Sequence, residues 1–237
     1  MSVDTRLNSV RIYIGKNTIG KTPTCISHCI ALQRAKPKNK LLCFDAQDKF
    51  MEAHRRRELR VDYLIGRTFW EWADELGKFI EPTSGNKIYD YADSHCVLDD
   101  YRMLCKGNDM PDAFYSLLAL RPKTNMDFSI ICHEPRNILE GLAGFITHYN
   151  IFANEASQTQ FQKKISCYVP CQKGALKINQ YVDAFGRGYY DVKNKQPMFP
   201  YIEVEKEKPY PLKCVNIDMN KFETLFTSNE EKQEYGF

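Results

Sequence analysis

Val10-Arg11-Ile12-Tyr13-Ile14 runs directly into Gly15-Lys16-Asn17-Thr18-Ile19-Gly20-Lys21-Thr22, and this stretch decides the fold. The octet matches G-x-x-x-x-G-K-[ST] at every defined position. A short apolar run precedes it and a segment of helical character, Cys25–Arg34, follows it, which is the context that motif requires. The spacing has a chemical reason. Backbone N–H groups of such a loop turn inward as an anion nest, and the next helix offers its positive end. Gly20 lets the backbone approach phosphate oxygens without a Cβ. Lys21 is placed for the β- and γ-phosphates and the Thr22 hydroxyl for magnesium. Pro23 is tolerated because first-turn N–H groups have no intrahelical partner. The octet Gly15, Lys16, Asn17, Thr18, Ile19, Gly20, Lys21 and Thr22 is therefore the candidate nucleotide site, with ATP and Mg2+ as its expected ligands.

On either side of the octet apolar runs alternate with helical segments, the pattern of an α/β chain with a parallel sheet. Leu41–Phe44 reads as a second strand ending on Asp45, and Phe128–Cys132 as a third, with His133-Glu134-Pro135 at its tip. Ile165–Val169 reads as a fourth strand closed by Pro170. Helices are expected over Lys49–Leu59, Phe69–Phe79, Pro111–Leu120, Ile138–Phe152 and Ala175–Phe185. Ser84–Asn108 reads as polar and turn-rich. Phe199–Val204 and Lys213–Ile217 are weaker strand candidates, and Met219–Phe226 a short helix. The expectation is a single domain over the whole chain, a three-layer α/β/α P-loop NTPase fold with a mostly parallel central sheet.

The 237 residues suit one α/β domain, and 43% hydrophobic with 27% charged residues excludes global disorder. No run of about 18 apolar residues is present to span a membrane. The N-terminus has no apolar segment behind a basic patch, so a cytoplasmic protein is expected. Nine cysteines, odd in number and mostly inside apolar runs, behave as small hydrophobes in a reducing compartment. Cys25, His28 and Cys29 share a helix face but lack the further ligands a structural zinc needs. A net charge of +3 does not by itself call for nucleic acid. The one dense basic run, His54–Arg60, offers Arg55, Arg56, Arg57 and Arg60 to DNA phosphates, or else is a solvated helix face with ion pairs such as Glu52 with Arg56.

Lys16, second in the octet, is the mark of a deviant Walker A loop, and the sequence resembles the ParA/MinD family of P-loop ATPases. Leu41-Leu42-Cys43-Phe44-Asp45, Asp127–Ile131 and Tyr168-Val169-Pro170 look like that family's second, third and fourth strands. The resemblance implies an ATP-dependent homodimer in which Lys16 reaches across to the partner's nucleotide, as an arginine finger does. It implies Asp45 or Asp48 as the acid orienting the attacking water, weak ATPase activity, non-specific DNA, and a protein adaptor. Its biological setting would be positioning, segregation or maintenance of DNA such as a plasmid, or a conjugation accessory role. Two departures stand out. Asn17-Thr18 replaces the family's glycines, and the Walker B aspartate falls on Cys132, so that Glu134 takes the magnesium-water role only if the strand tip shifts by two residues. The acidic end of the chain, Ser228–Phe237, does not suit anionic lipid, so no membrane partner is expected. A P-loop kinase of small molecules and a nucleotide-binding switch without efficient hydrolysis remain as alternatives.

Overall fold

A computed structural model describes residues 8–66, 92–105, 109–110, 112–155, 158–192 and 196–237. Along the chain the described strands are β1 (Val10–Ile14), β2 (Lys40–Asp45), β3 (Tyr63–Gly66), β4 (Ser94–Asp99), β5 (Asp127–Cys132), β6 (His148–Ile151), β7 (Tyr189–Asp191), β8 (Gln196–Met198), β9 (Tyr201–Glu205) and β10 (Lys213–Val215). The described α-helices are α1 (Lys21–Ala35), α2 (Lys49–Arg55), α3 (Asp112–Thr124), α4 (Glu140–Ala143), α5 (Gln158–Lys164), α6 (Tyr168–Phe185), α7 (Met219–Glu223) and α8 (Asn229–Gln233). The chain forms two compact units, one of Met1–Val10 and Cys25–Ile131, the other of Arg11–Thr24 and Cys132–Phe237.

In the first unit four parallel strands run in the order β5-β4-β2-β3. β4 and β5 are buried along their whole length, as strands covered on both faces are. Asp127 at the start of β5 accepts from both the amide and the hydroxyl of Ser9, at 2.8 and 2.9 Å, so its burial is satisfied. α3 continues through Arg121-Pro122 to Thr124, where a stop was expected. Pro122 has no N–H for the carbonyl of Leu118, and the Arg121 guanidinium donates to that carbonyl instead, at 2.9 Å.

In the second unit β1 pairs parallel with β6, β6 antiparallel with β9, and β9 antiparallel with β10. All five residues of β1 are buried. Its one cation, the buried Arg11, donates to the half-buried Glu203 of β9 at 2.9 Å, an ion pair satisfied rather than stranded. β7 and β8 form a separate antiparallel hairpin. The class is α/β with mostly parallel strands, as expected.

Three expected elements are corrected. Ser84–Asn108 is not turn-rich throughout, because Ser94–Asp99 within it is a core strand. Ile138–Phe152 is not one helix: only Glu140–Ala143 is α-helical, and His148–Ile151 is a strand between β1 and β9. Gly141 and Gly144 weaken the helix, and the β-prone run Ile146–Phe152 pairs instead. Ile165–Val169 is not a strand, since α6 begins at Tyr168. Pro170, read as a terminator, sits in the first turn of α6, where its missing N–H costs nothing. The helix expected over Phe69–Phe79 lies outside the described residues.

Candidate functional site: the phosphate loop

The loop at Gly15–Thr22 belongs to the second unit, with the end of β1 that leads into it and the first turn of α1. The loop leaves β1 and is tied down at once. The amide of Gly15 donates to the carbonyl of Cys132 at 3.3 Å and that of Lys16 to Ala153 at 3.1 Å. A Cβ on Gly15 would lie 2.6 Å from that of Phe152, so only glycine fits where the loop crosses the end of β6. Asn17 and Thr18 form the exposed tip, with Thr18 at φ 59, while Ile19 is buried and anchors the loop to the core.

Gly20 is constrained twice. Its φ is +93, a conformation L side chains avoid, and a Cβ there would lie 2.0–2.4 Å from ring atoms of Phe199. Phe199, from the link between β8 and β9, is the wall against which the loop turns into α1. Its own carbonyl accepts from the side-chain amide of Asn216 at 3.0 Å.

Lys21 is only 5% exposed. Its ammonium donates to the carbonyls of Gly15 and Lys16, both at 2.7 Å, and lies 3.3 Å from Nδ1 of His133. A buried cation must be satisfied, and here loop carbonyls do it. Thr22 is half-buried in the first turn of α1. A loop of fixed amides at the start of a 15-residue helix, with one buried ammonium inside it, has the chemistry that a polyphosphate anion requires.

The other expected site residues fall as follows. The side chain of Lys16 is 41% exposed and meets Glu155 of its own chain at 3.5 Å. Asp45 is fully buried, but both its oxygens are engaged by the first turn of α2, accepting from the amides of Lys49 (2.9 Å) and Met51 (2.8 Å). Its carboxyl is raised above the ordinary aspartate range, by burial first, against the lowering effect of those amides. Asp45 thus ties the first turn of α2 to the end of β2, and the role of orienting water is not what these hydrogen bonds serve. Asp48 pairs with Arg55 at 2.5 Å. Cys132, onto which the family's acid aligned, is a buried thiol donating to the carbonyl of Glu134 at 3.0 Å, and the Glu134 carboxylate is paired with Arg136. Of the arginine run, Arg55, Arg56 and Arg60 are paired with Asp48, Glu58 and Asp62, and Arg57 is exposed at a left-handed turn. No metal-holding group of three or more His, Cys, Asp or Glu is present among the described residues.

Sequence reasoning missed three residues. Asp99 ends β4 and is 1% exposed, in direct register with Asp45 of β2. An apolar strand closing on acids is the Walker B pattern, and Cys96-Val97-Leu98-Asp99-Asp100 displays it in the sequence. With β4 between β2 and β5, the strand Asp127–Cys132 is not the next strand after β2 in the sheet. His133 and Phe199 left no signal in spacing, since both act through contacts with the loop that only the folded chain brings together.

The genome packaging NTPase B204 of Sulfolobus turreted icosahedral virus 2, in complex with ATP-gammaS, matches this structure with a TM-score of 0.57 over 88% of this chain and 97% of that chain, at 12% identity. The fold is that of a P-loop NTPase. The AMPPCP complex of B204 gives 0.57 at 10% identity over 91% and 98% of the two chains. B204 described as the DNA-packaging ATPase from Sulfolobus turreted icosahedral virus gives 0.56 at 10% identity over 88% and 97%. No protein-family model and no curated protein sequence matches the chain. Within this P-loop fold the particular likeness to ParA/MinD loses two of its three strand matches: Tyr168-Val169-Pro170 begins a helix, and Asp127–Ile131 follows β4 rather than β2.

Proposed function

We propose that the chain is an ATP-dependent NTPase that binds ATP with Mg2+ at Gly15–Thr22 and hydrolyses it. The observation that carries this reading is the enclosed Lys21 ammonium inside a loop whose two glycines admit no side chain. An incoming triphosphate would take over that ammonium from the two carbonyls, and Thr22 would hold the magnesium. ATP as the nucleotide is supported by the ATP analogues that occupy B204. The packaging role of B204 supports DNA as the macromolecule on which turnover acts, and the basic stretch around Arg57 offers phosphate contacts. Titration calorimetry with ATP and magnesium tests the core of the proposal. Wild-type protein is expected to bind and Lys21→Ala to show no heat, because the principal side-chain charge on the β/γ-phosphates is gone. Equal affinity in the two proteins would sink the assignment.

A narrower reading, the ATP-dependent dimer switch of the ParA type in DNA segregation, is favoured by one observation. Lys16 stands at the rim of the loop with an 86% exposed counter-ion, Glu155, and an exposed pair of this kind contributes about 0–1 kcal/mol. Lys16 would exchange that partner for a phosphate of a second protomer at little cost.

A further inference from the structure

We propose that His133 contacts the third phosphate of the bound nucleotide and makes the loop distinguish a triphosphate from a diphosphate. The inference rests on the reading of Gly15–Thr22 as a triphosphate site and adds a residue to it. His133 follows the strand Asp127–Cys132 and comes to the loop from a different segment, held there because the carbonyl of Cys132 accepts the Gly15 amide at 3.3 Å. Its Nδ1 lies 3.3 Å from the Lys21 ammonium. An ammonium has three donors and no acceptor. Nδ1 can therefore only accept in this pair, which leaves Nε2 as the donor side of the ring.

The placement selects the third phosphate. In a loop of this type backbone amides cradle the α- and β-phosphates, while the lysine serves the β- and γ-phosphates. A side chain that arrives from outside the loop and meets that lysine stands at the γ end. A phosphate oxygen bound by the ammonium at about 2.8 Å, in tetrahedral geometry with the bond to Nδ1, would lie about 5 Å from Nδ1. Rotation of the imidazole about its side-chain bonds closes that gap and turns the Nε2–H toward the oxygen. The ring then gains a charge-assisted hydrogen bond that a diphosphate does not offer.

The experiment measures affinity for ADP and for a non-hydrolysable ATP analogue, both with magnesium, in wild type, His133→Ala, His133→Phe, His133→Gln and Lys21→Ala. His133→Phe keeps the bulk of the ring and loses its nitrogens, so it carries the test if the alanine variant does not fold. In both, affinity for the ATP analogue is expected to fall at least about tenfold, the size of a hydrogen bond to a charged group. Affinity for ADP should stay within about twofold, and the amide donor of His133→Gln should restore most of the loss. Equal losses for both nucleotides would make His133 a structural support of the loop and overturn the proposal, as would unchanged affinity for the ATP analogue. If wild type and Lys21→Ala are alike in binding neither nucleotide, the triphosphate reading itself has failed, and the role of His133 falls with it.

Discussion

Replacing Gly20 by alanine probes the loop at its tightest point. The added Cβ meets two independent penalties. The first is backbone: at φ +93 an L residue is strained, and left-handed conformations cost about 1–2 kcal/mol. The second is steric. Three ring atoms of Phe199 lie within 2.0–2.4 Å of the new carbon, so the ring must move, and overpacking of this kind costs about 1–3 kcal/mol. The sum, roughly 2–5 kcal/mol, is a large fraction of a typical domain's stability and lowers a urea midpoint by roughly 1–2 M. The two penalties separate in a double-mutant cycle. In a Phe199→Ala background the steric part vanishes and the backbone part stays, so Gly20→Ala should then cost only about 1–2 kcal/mol. The coupling energy should accordingly be about 1–3 kcal/mol in the relieving direction. Urea denaturation of the four proteins, followed by circular dichroism, measures it. A coupling below about 0.5 kcal/mol would refute the reasoning, because Phe199 would then not be the wall that requires glycine at this position.

Three further outcomes are expected. Thr22→Ala should weaken ATP binding in calorimetry more with magnesium present than without it; equal losses in the two conditions would remove Thr22 from the metal. Lys16→Ala should leave nucleotide affinity intact and, if the dimer switch operates, weaken ATP-dependent dimerisation more than tenfold in analytical ultracentrifugation; a wild type that stays monomeric when saturated with ATP would remove the switch reading. Iodoacetamide near pH 7.5 should alkylate Cys167 first among the partly exposed thiols. The neighbouring Cys171, with which it shares a hydrogen bond, lowers its pKa, while burial lifts Cys105 to about 11 and Cys214 to about 12. Only the thiolate reacts, so peptide mapping that found Cys105 or Cys214 modified first would contradict this.

The elements legible in the sequence were those in which local pattern and burial agree. β1, β2 and β5 are mostly apolar, with Leu41–Phe44 and Ile130–Cys132 as unbroken runs, and all but Lys40 of their residues are buried, while the loop octet carries its chemistry in its spacing. β4 escaped because its apolar part is short, Cys96-Val97-Leu98, and lies between polar flanks, although the paired acids Asp99-Asp100 that follow are a readable sign. Ile138–Phe152 misled because Leu139, Leu142, Phe145 and Ile146 have helical spacing, while the chain turns at Gly144 and enters β6. Asp45 was legible as a strand-end acid but not as the anchor of α2, since its partners are backbone amides that spacing does not specify. Phe199 and His133 lie far from the loop in sequence, and no periodicity links residues that meet only through tertiary packing.

The contact of Phe199 with Gly20 also sets an order of events during synthesis. The phosphate loop leaves the ribosome before its wall, which comes 177 positions after Thr22. At roughly 5–20 residues per second, roughly 10–35 s separate the two. During that interval the loop has its full motif and lacks its enclosure. The nascent chain should therefore hold nucleotide poorly until the segment that carries Phe199 has emerged and packed, and a fragment that stops after α6 should keep the signature while losing the grip.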